Sequence, residues 1–245
     1  MDYKTVLMYA ARIATFLLVI PLHESAHAWV AKKLGDDTAD RQGRISLNPF
    51  VHFELFGTVL MLLTGFGWAK PVPVNPARFS KTRKNGKKIS MRGGMALTAL
   101  AGPVSNLIAA FVAALILGLM LSTDTGWLAY LQMHETDVVL SDKNLTFLSS
   151  IEVLLSYLFS VNVGLAVFNL LPVPPLDGFN IVRYFTSEKV DRWFYEHQMI
   201  ITRVFFALLL LMSYVPVLRV PLEAASNFVS TMVWKAVTGI IQLLR

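Results

Sequence analysis

The chain has 245 residues, of which 55% are hydrophobic and only 16% are charged. Soluble domains carry nearer ~25% charged residues, so this composition excludes an ordinary soluble domain and predicts an integral membrane protein. The formal charge of +6 does not indicate a nucleic-acid partner, because the basic residues cluster in loops beside apolar segments, as in the positive-inside pattern. Cysteine is absent, which excludes disulfides and cysteine metal ligands.

The first predicted element is an apolar helix over residues 5–33, long enough to cross a bilayer, which needs ~20 residues. It contains His23-Glu24-Ser25-Ala26-His27, an H-E-x-x-H motif. Residues four apart lie on one face of a helix, so both imidazoles can bind one metal ion, with Glu24 as a base for water. Ionisable residues inside a membrane are costly and point to function. Basic residues in the last turn of the helix and beyond it predict that the motif lies toward the cytoplasm: Lys32, Lys33, Arg41 and Arg44.

In the next segment, around residues 50–76, the apolar run at 55–63 is too short for a full span. The second half of the segment, residues 70–76, contains prolines at a density that excludes a helix. Residues 70–92 carry eight basic residues and no acid, so a full crossing would put two basic loops on opposite sides of the membrane. We therefore expect a re-entrant segment, part helix and part β-strand. Irregular backbone at membrane depth must line a cavity or pack on protein, so this segment is a candidate wall of an active site.

The later spans complete the predicted topology. Their loops alternate in charge, since residues 122–146 carry four acids and one base, as expected for the outer face. Together with the first helix they predict an all-α polytopic membrane protein with about five transmembrane helices. We expect one domain over residues 1–245, with a catalytic core at about 5–185 and scaffold helices at about 198–243. The later spans are predicted at residues 94–121, 147–171, 200–215 and 222–243.

A catalytic zinc ion needs a third protein ligand beside two histidines. Topology favours Asp177, because it follows the inner end of its span at the depth of His27, in a proline-rich turn before Gly178. The alternative for Asp177 is to cap the helix that follows it. His52 could reach the metal or a substrate, or could be an interfacial residue whose partners are backbone groups. The remaining candidates are Glu54 and three residues expected at the outer side: Glu152, His134 and Asp137.

Three segments at these separations resemble the site-2 protease family of intramembrane zinc metalloproteases. They are H-E-S-A-H at 23–27, A-G-P-V-S-N at 101–106, and N-L-L-P running into L-D-G at 169–178. The resemblance covers residues 5 to about 185 in the family's order. It implies a Zn²⁺ cofactor and hydrolysis of peptide bonds in membrane-spanning protein or peptide substrates. It also implies that His23, His27 and Asp177 are the zinc ligands. Glu24 would be the general base.

The resemblance further implies how a substrate is held. Asn106, in the G-P-x-x-N pattern, and Asn169, in the N-x-x-P pattern, would contact or orient the substrate backbone. Either asparagine could instead bridge helices inside the bundle. Phe66 and Gly67 lie in a stretch similar to the family's re-entrant strand, which pairs with an unwound substrate.

Residues 46–58 are similar to a small bacterial and archaeal branch of the family, in which the position of Glu54 is commonly Asp. We expect no PDZ or CBS module beside this core. We therefore expect a multi-pass protein of a prokaryotic cell membrane, with its active site toward the cytoplasmic side. The expected partners are the lipid bilayer and a transmembrane substrate.

Three other functions fit parts of the sequence. Another class of membrane zinc protease would need a glutamate ligand on a later helix at the depth of the motif, which Glu152 does not satisfy. A metal-ion transporter or sensor predicts acids along a path through the bilayer, and the later spans lack them. A catalytically silent relative that only binds membrane segments would not need the intact set of four residues.

Overall fold

The computed structural model describes residues 3–55, 57, 68–82, 86, 88–134 and 143–244. Eight α-helices and three short 3₁₀ turns account for most of this part of the chain, and no β-strand occurs in it. The 3₁₀ turns are Pro49–Val51, Pro76–Arg78 and Pro216–Arg219. The helices are α1 Tyr3–Leu34, α2 Thr38–Arg41, α3 Met91–Leu121, α4 Asp124–His134, α5 Lys143–Asn169, α6 Asp177–Arg183, α7 Glu188–Tyr214 and α8 Val220–Leu243.

Four of the described helices are long and apolar enough to cross a membrane. The expectation of an all-α polytopic membrane protein is therefore confirmed. The span predicted at 200–215 is the second half of a longer helix, because α7 already begins after Ser187, whose side chain accepts a hydrogen bond from the Val190 N–H. Helix α8, at the span predicted over 222–243, has 24 residues but carries Asn227 and Lys235, and it is not among these four. The four spans are Tyr3–Leu34, Met91–Leu121, Asn144–Asn169 and Glu188–Met212.

Residues 56 and 58–67, the centre of the predicted re-entrant segment, lie outside the described residues. The flanks of that segment meet, since Phe53 and Ala69 form an antiparallel bridge. The Lys70 N–H also donates to the His52 carbonyl at 2.8 Å. A full crossing would separate the two flanks by ~30 Å. Their pairing is what a re-entrant segment requires.

The chain divides into two compact units. The first comprises residues 1–19, 106–164 and 225–245, and its core is formed by small and branched side chains of α3, α5 and α8. Glycine allows α3 to approach α8 closely, because a Cβ atom at Gly118 would lie 2.7 Å from Ile241 Cδ1.

The second unit comprises residues 20–105 and 165–224. It contains the H-E-x-x-H part of α1 and the beginning of α3, together with α6 and α7. Helix α1 ends at Gly35, whose φ of +111° favours glycine. The Leu34 carbonyl at this end accepts hydrogen bonds from the Ser80 and Lys81 N–H groups at 3.0 and 3.1 Å. A small apolar cluster holds this end of α1 in place: Ala31, Leu34, Phe79 and Ile89.

Candidate metal centre

The two histidines of the H-E-x-x-H motif lie one turn apart on the same face of α1, as their spacing predicts. Both are buried, and their Nε2 atoms are only 3.0 Å apart. Two buried imidazole nitrogens at this separation direct their polar edges at a common point.

The orientation of His27 is fixed from helix α3. Its Nδ1 lies 2.7 Å from the Thr98 carbonyl oxygen, and a carbonyl can only accept, so Nδ1 carries the proton. Neutral His27 then has its lone pair on Nε2, which is the atom beside His23. A backbone carbonyl on the far nitrogen is the usual partner of a metal-ligating histidine.

Gly102 of α3 lies directly against this pair. A Cβ atom at this position would be 2.5 Å from His23 Cε1 and 2.5 Å from His27 Nε2. Side chains do not tolerate such contacts, so glycine is what permits α3 to cover the imidazoles. In the sequence, Gly102 is only one member of the A-G-P-V-S-N pattern, and no spacing within the chain indicates this contact.

Asp177 completes the group. Helix α6 begins at Asp177 with Leu176 in the capping position, so the predicted alternative of an N-cap is not what the structure has. Gly178 permits the start of α6 to contact the preceding turn, since a Cβ atom there would lie 2.2 Å from the Leu170 carbonyl oxygen. As a result, Asp177 Oδ2 lies 3.3 Å from Nε2 of His23 and 3.3 Å from Nε2 of His27.

These three atoms fit a zinc ion. Ligand atoms bound to tetrahedral zinc at ~2.0–2.1 Å are about 3.3 Å from one another, close to the observed separations of 3.0, 3.3 and 3.3 Å. Asp177 Oδ2 is buried and accepts no hydrogen bond from the described residues, which is unfavourable unless a cation lies beside it. Two imidazoles and one carboxylate are also a ligand set of catalytic zinc sites. Within the described part of the chain, no other histidine, aspartate or glutamate residues form such a set.

Glu24 is half-buried on α1, and its charge is coupled to that of Arg44, a buried residue of the following loop. Burial lowers the pKa of the Arg44 guanidinium, and the negative charge of Glu24 opposes that shift. Arg44 also donates a hydrogen bond to the Lys70 carbonyl, at the flank of the predicted re-entrant segment.

His52 is fully buried but is not one of the three converging residues. Its Nε2 donates to the Ser46 carbonyl at 2.8 Å. The same carbonyl accepts a 2.6 Å hydrogen bond from Ser25, a residue of the H-E-x-x-H motif. His52 therefore holds the chain beside the motif through a backbone group, and its proposed contact with metal or substrate stays a prediction.

The predicted substrate residues have other observed partners. Asn106, in the first unit, is buried and donates to Asn162 Oδ1 at 2.8 Å. Asn169 donates to the Leu165 carbonyl of its own helix at 3.0 Å. Phe66 and Gly67 lie outside the described residues. Substrate contact by all four stays a prediction.

The other candidates for a third ligand have different surroundings. Glu152 is buried in the first unit, where Ser156 donates to it at 2.9 Å and His134 Nε2 lies 3.4 Å away. Glu54 accepts a hydrogen bond from the Gly57 N–H at 2.6 Å. Asp137 lies outside the part of the chain that the structure describes.

Long apolar helices and a buried set of two histidines and one aspartate define a polytopic membrane protein with a centre suited to a metal ion. The chain belongs to peptidase family M50, whose sequence pattern matches residues 11–212. The resemblance to the site-2 protease family is therefore confirmed.

Two curated relatives carry names that describe candidate zinc metalloproteases. YwhC of Bacillus subtilis (strain 168) is 41% identical over 170 residues, which are 69% of this chain and 66% of the relative. Rip2 of Mycolicibacterium smegmatis is 26% identical over 185 residues, which are 74% of this chain and 59% of the relative. The chain thus spans less than two thirds of the length of either relative. No solved structure matches the chain.

Proposed function

We propose that this protein is an intramembrane zinc metalloprotease that hydrolyses peptide bonds in membrane-spanning protein substrates. The observation that carries the proposal is the meeting of His23 Nε2, His27 Nε2 and Asp177 Oδ2 at separations suited to one zinc ion. Membership of a peptidase family and the names of both relatives support the same cofactor and reaction.

The zinc ligands would be the three atoms named above. When bound, the ion polarises the scissile carbonyl and makes a water molecule more acidic. The hydrogen bond from His27 to the Thr98 carbonyl holds the His27 ring in the tautomer that a metal requires. Asp177 contributes a negative charge on a short helix whose start is held against Leu170.

Glu24 is the proposed general base. Its carboxylate takes a proton from the attacking water and then passes that proton to the leaving amine. Arg44 is a buried cation of the following loop, and the charge of Glu24 is coupled to it.

A transmembrane substrate presents a further difficulty. In a helix its carbonyls are hydrogen-bonded from residue i to residue i+4, so the scissile segment must unwind before it can be attacked. We propose that the re-entrant segment with Phe66 and Gly67 supplies replacement hydrogen bonds by strand addition. The antiparallel pairing of Phe53 with Ala69 supports extended backbone at both flanks of that segment. Asn106 and Asn169 would orient the remaining substrate backbone.

We also propose a prokaryotic cell membrane as the location, with the centre toward the cytoplasmic side. The supporting observation is the charge of the loops that flank the motif. Residues 70–92 carry eight basic residues without an acid, which is the pattern of cytoplasmic loops.

Replacement of Glu24 by Gln is the direct test, with Asp177→Asn as its counterpart. Both variants keep the size of the side chain. We expect Glu24→Gln to retain zinc and to lose cleavage of a model membrane substrate by at least about 100-fold. Asp177→Asn should lose both zinc and cleavage. Zinc content per chain and single-turnover cleavage in detergent micelles are the measurements.

The two variants also separate the alternatives. Cleavage by Glu24→Gln at the wild-type rate would show that another group is the base. Full zinc content in Asp177→Asn would contradict the proposed ligand set. A wild-type protein that binds zinc and membrane peptides but cleaves none of them would instead be a silent relative.

A further inference from the structure

The second unit, which contains the metal centre, also has a cavity of about 450 Å³. It lies between the end of α1, the first turns of α3 and helix α6. Ligand sites commonly have volumes of ~300–1,000 Å³. Gly93 and Ala96 make room for the cavity because their side chains are absent or small. Leu97 and Leu100 of α3 and Ile181 of α6 form its apolar walls.

Among the described residues that line the cavity, one is charged. Lys81 is exposed, and the start of its side chain is fixed because its N–H donates to the Leu34 carbonyl at 3.1 Å. None of the described residues that line the cavity is acidic. Lys81 therefore lies beside an apolar interior, and no carboxylate among these lining residues neutralises it.

This combination selects among possible occupants. A soluble anion would use Lys81 but would leave the leucine walls exposed. An apolar substrate helix would cover the walls but would leave the lysine without a counter-charge. A membrane lipid with an anionic headgroup satisfies both parts, since acyl chains pack on apolar walls and basic residues attract anionic headgroups.

We propose that this cavity binds one anionic glycerophospholipid, with an acyl chain against Leu97 and Leu100 and the headgroup phosphate beside Lys81. Lys81 belongs to the stretch at residues 70–92, which contains eight basic residues and no acid. The lipid would also contact Ile181, one turn after Asp177 on the same short helix. The site is therefore adjacent to the helix that carries the proposed third ligand.

The test measures retained lipid and does not depend on protease activity. The full chain is reconstituted in vesicles of equal parts phosphatidylglycerol and phosphatidylcholine with matched acyl chains, then extracted into detergent and analysed by native mass spectrometry. We expect phosphatidylglycerol to be retained in preference, at one molecule per chain. Lys81→Gln should lower that preference about fivefold, which corresponds to the effect of one lysine at an anionic membrane surface.

Two wall variants and one control complete the design. Ala96→Leu fills the cavity and should reduce retention of both lipids. Leu97→Gln changes a wall side chain that is 47% exposed, and it should have the same effect if Ala96→Leu fails to fold. Lys189→Gln removes an exposed charge of another basic segment and should leave retention unchanged.

Several results would overturn the proposal. Equal retention of the two lipids, or equal effects of Lys81→Gln and Lys189→Gln, would show that Lys81 does not recognise an anionic headgroup. Displacement of the lipid by inorganic phosphate alone would indicate a soluble-anion site. Wall variants that retain lipid at the wild-type level but lose substrate cleavage would assign the cavity to the substrate.

Discussion

Gly102 and His27 are in contact across two helices, such that a single added carbon on Gly102 would lie 2.5 Å from His27 Nε2. That nitrogen is one of the three proposed ligand atoms. The close approach brings the Thr98 carbonyl of the same helix within 2.7 Å of His27 Nδ1. One glycine therefore affects both the space around the ligand atom and the tautomer of its ring.

Substitution of Gly102 by Ala should consequently reduce zinc affinity. The methyl group cannot be accommodated unless α3 or the imidazoles move, and misplaced supporting groups typically reduce metal affinity 10–100-fold. We expect a loss of at least about tenfold, measured by competition with a zinc chelator, with the helical circular dichroism retained. Gly164→Ala is the matched control, because a Cβ atom there meets no atom within 4 Å. Equal zinc affinity in the two variants would contradict the steric role of Gly102.

How the residues of the metal centre could be predicted from the sequence depends on their separation along the chain. The meeting of His23 and His27 follows from helical geometry over four residues. The approach of Asp177 required a long-range argument, namely that loop charges and span lengths put it at the depth of His27. The observed distance of 3.3 Å between Asp177 Oδ2 and His27 Nε2 agrees with that prediction of proximity.

The contacts made by α3 were not predictable in the same way. Whether Thr98 or Gly102 touches an imidazole depends on the distance and rotation between two helices, and the hydrophobic pattern of either helix sets neither. The start of α7 illustrates another limit. Apolar composition suggested a span from residue 200, whereas the helix begins at Glu188, since amphipathic turns outside a membrane carry no continuous apolar signal.

Asn106 has two predicted roles, a bridge between helices and a contact with the substrate. Its observed partner allows the first role to be tested. Its amide donates to Asn162 at 2.8 Å, and both side chains are buried. Hydrogen bonds between membrane helices contribute about 1 kcal/mol each. In a double-mutant cycle with Asn106→Ala and Asn162→Ala, we expect a coupling free energy of that size, measured by unfolding in mixed micelles.

Kinetics then test the substrate role of Asn106 separately. If Asn106 also contacts the substrate, Asn106→Ala should raise KM several-fold more than Asn162→Ala does. The two variants remove the same hydrogen bond, so each serves as the control for the other. Equal KM values would assign Asn106 to helix bridging alone, and an absent coupling energy would contradict the bridging contact.

Asp191 provides a last prediction, because it joins three segments of the unit that contains the metal centre. Its carboxylate accepts from Arg183 Nε at 2.5 Å and from Arg92 at 2.9 Å, so the end of α6, the start of α3 and the start of α7 are held together. Asp191→Asn removes the charge from both pairs and should lower the free energy of unfolding by about 1–3 kcal/mol. Because α6 begins with Asp177, loosening its end should also weaken zinc binding while leaving every proposed ligand in place. Glu188→Gln, an exposed position in the same first turn of α7, is the control. A stability loss in Asp191→Asn with unchanged zinc affinity would show that α6 is positioned by its start alone, through the packing of Gly178.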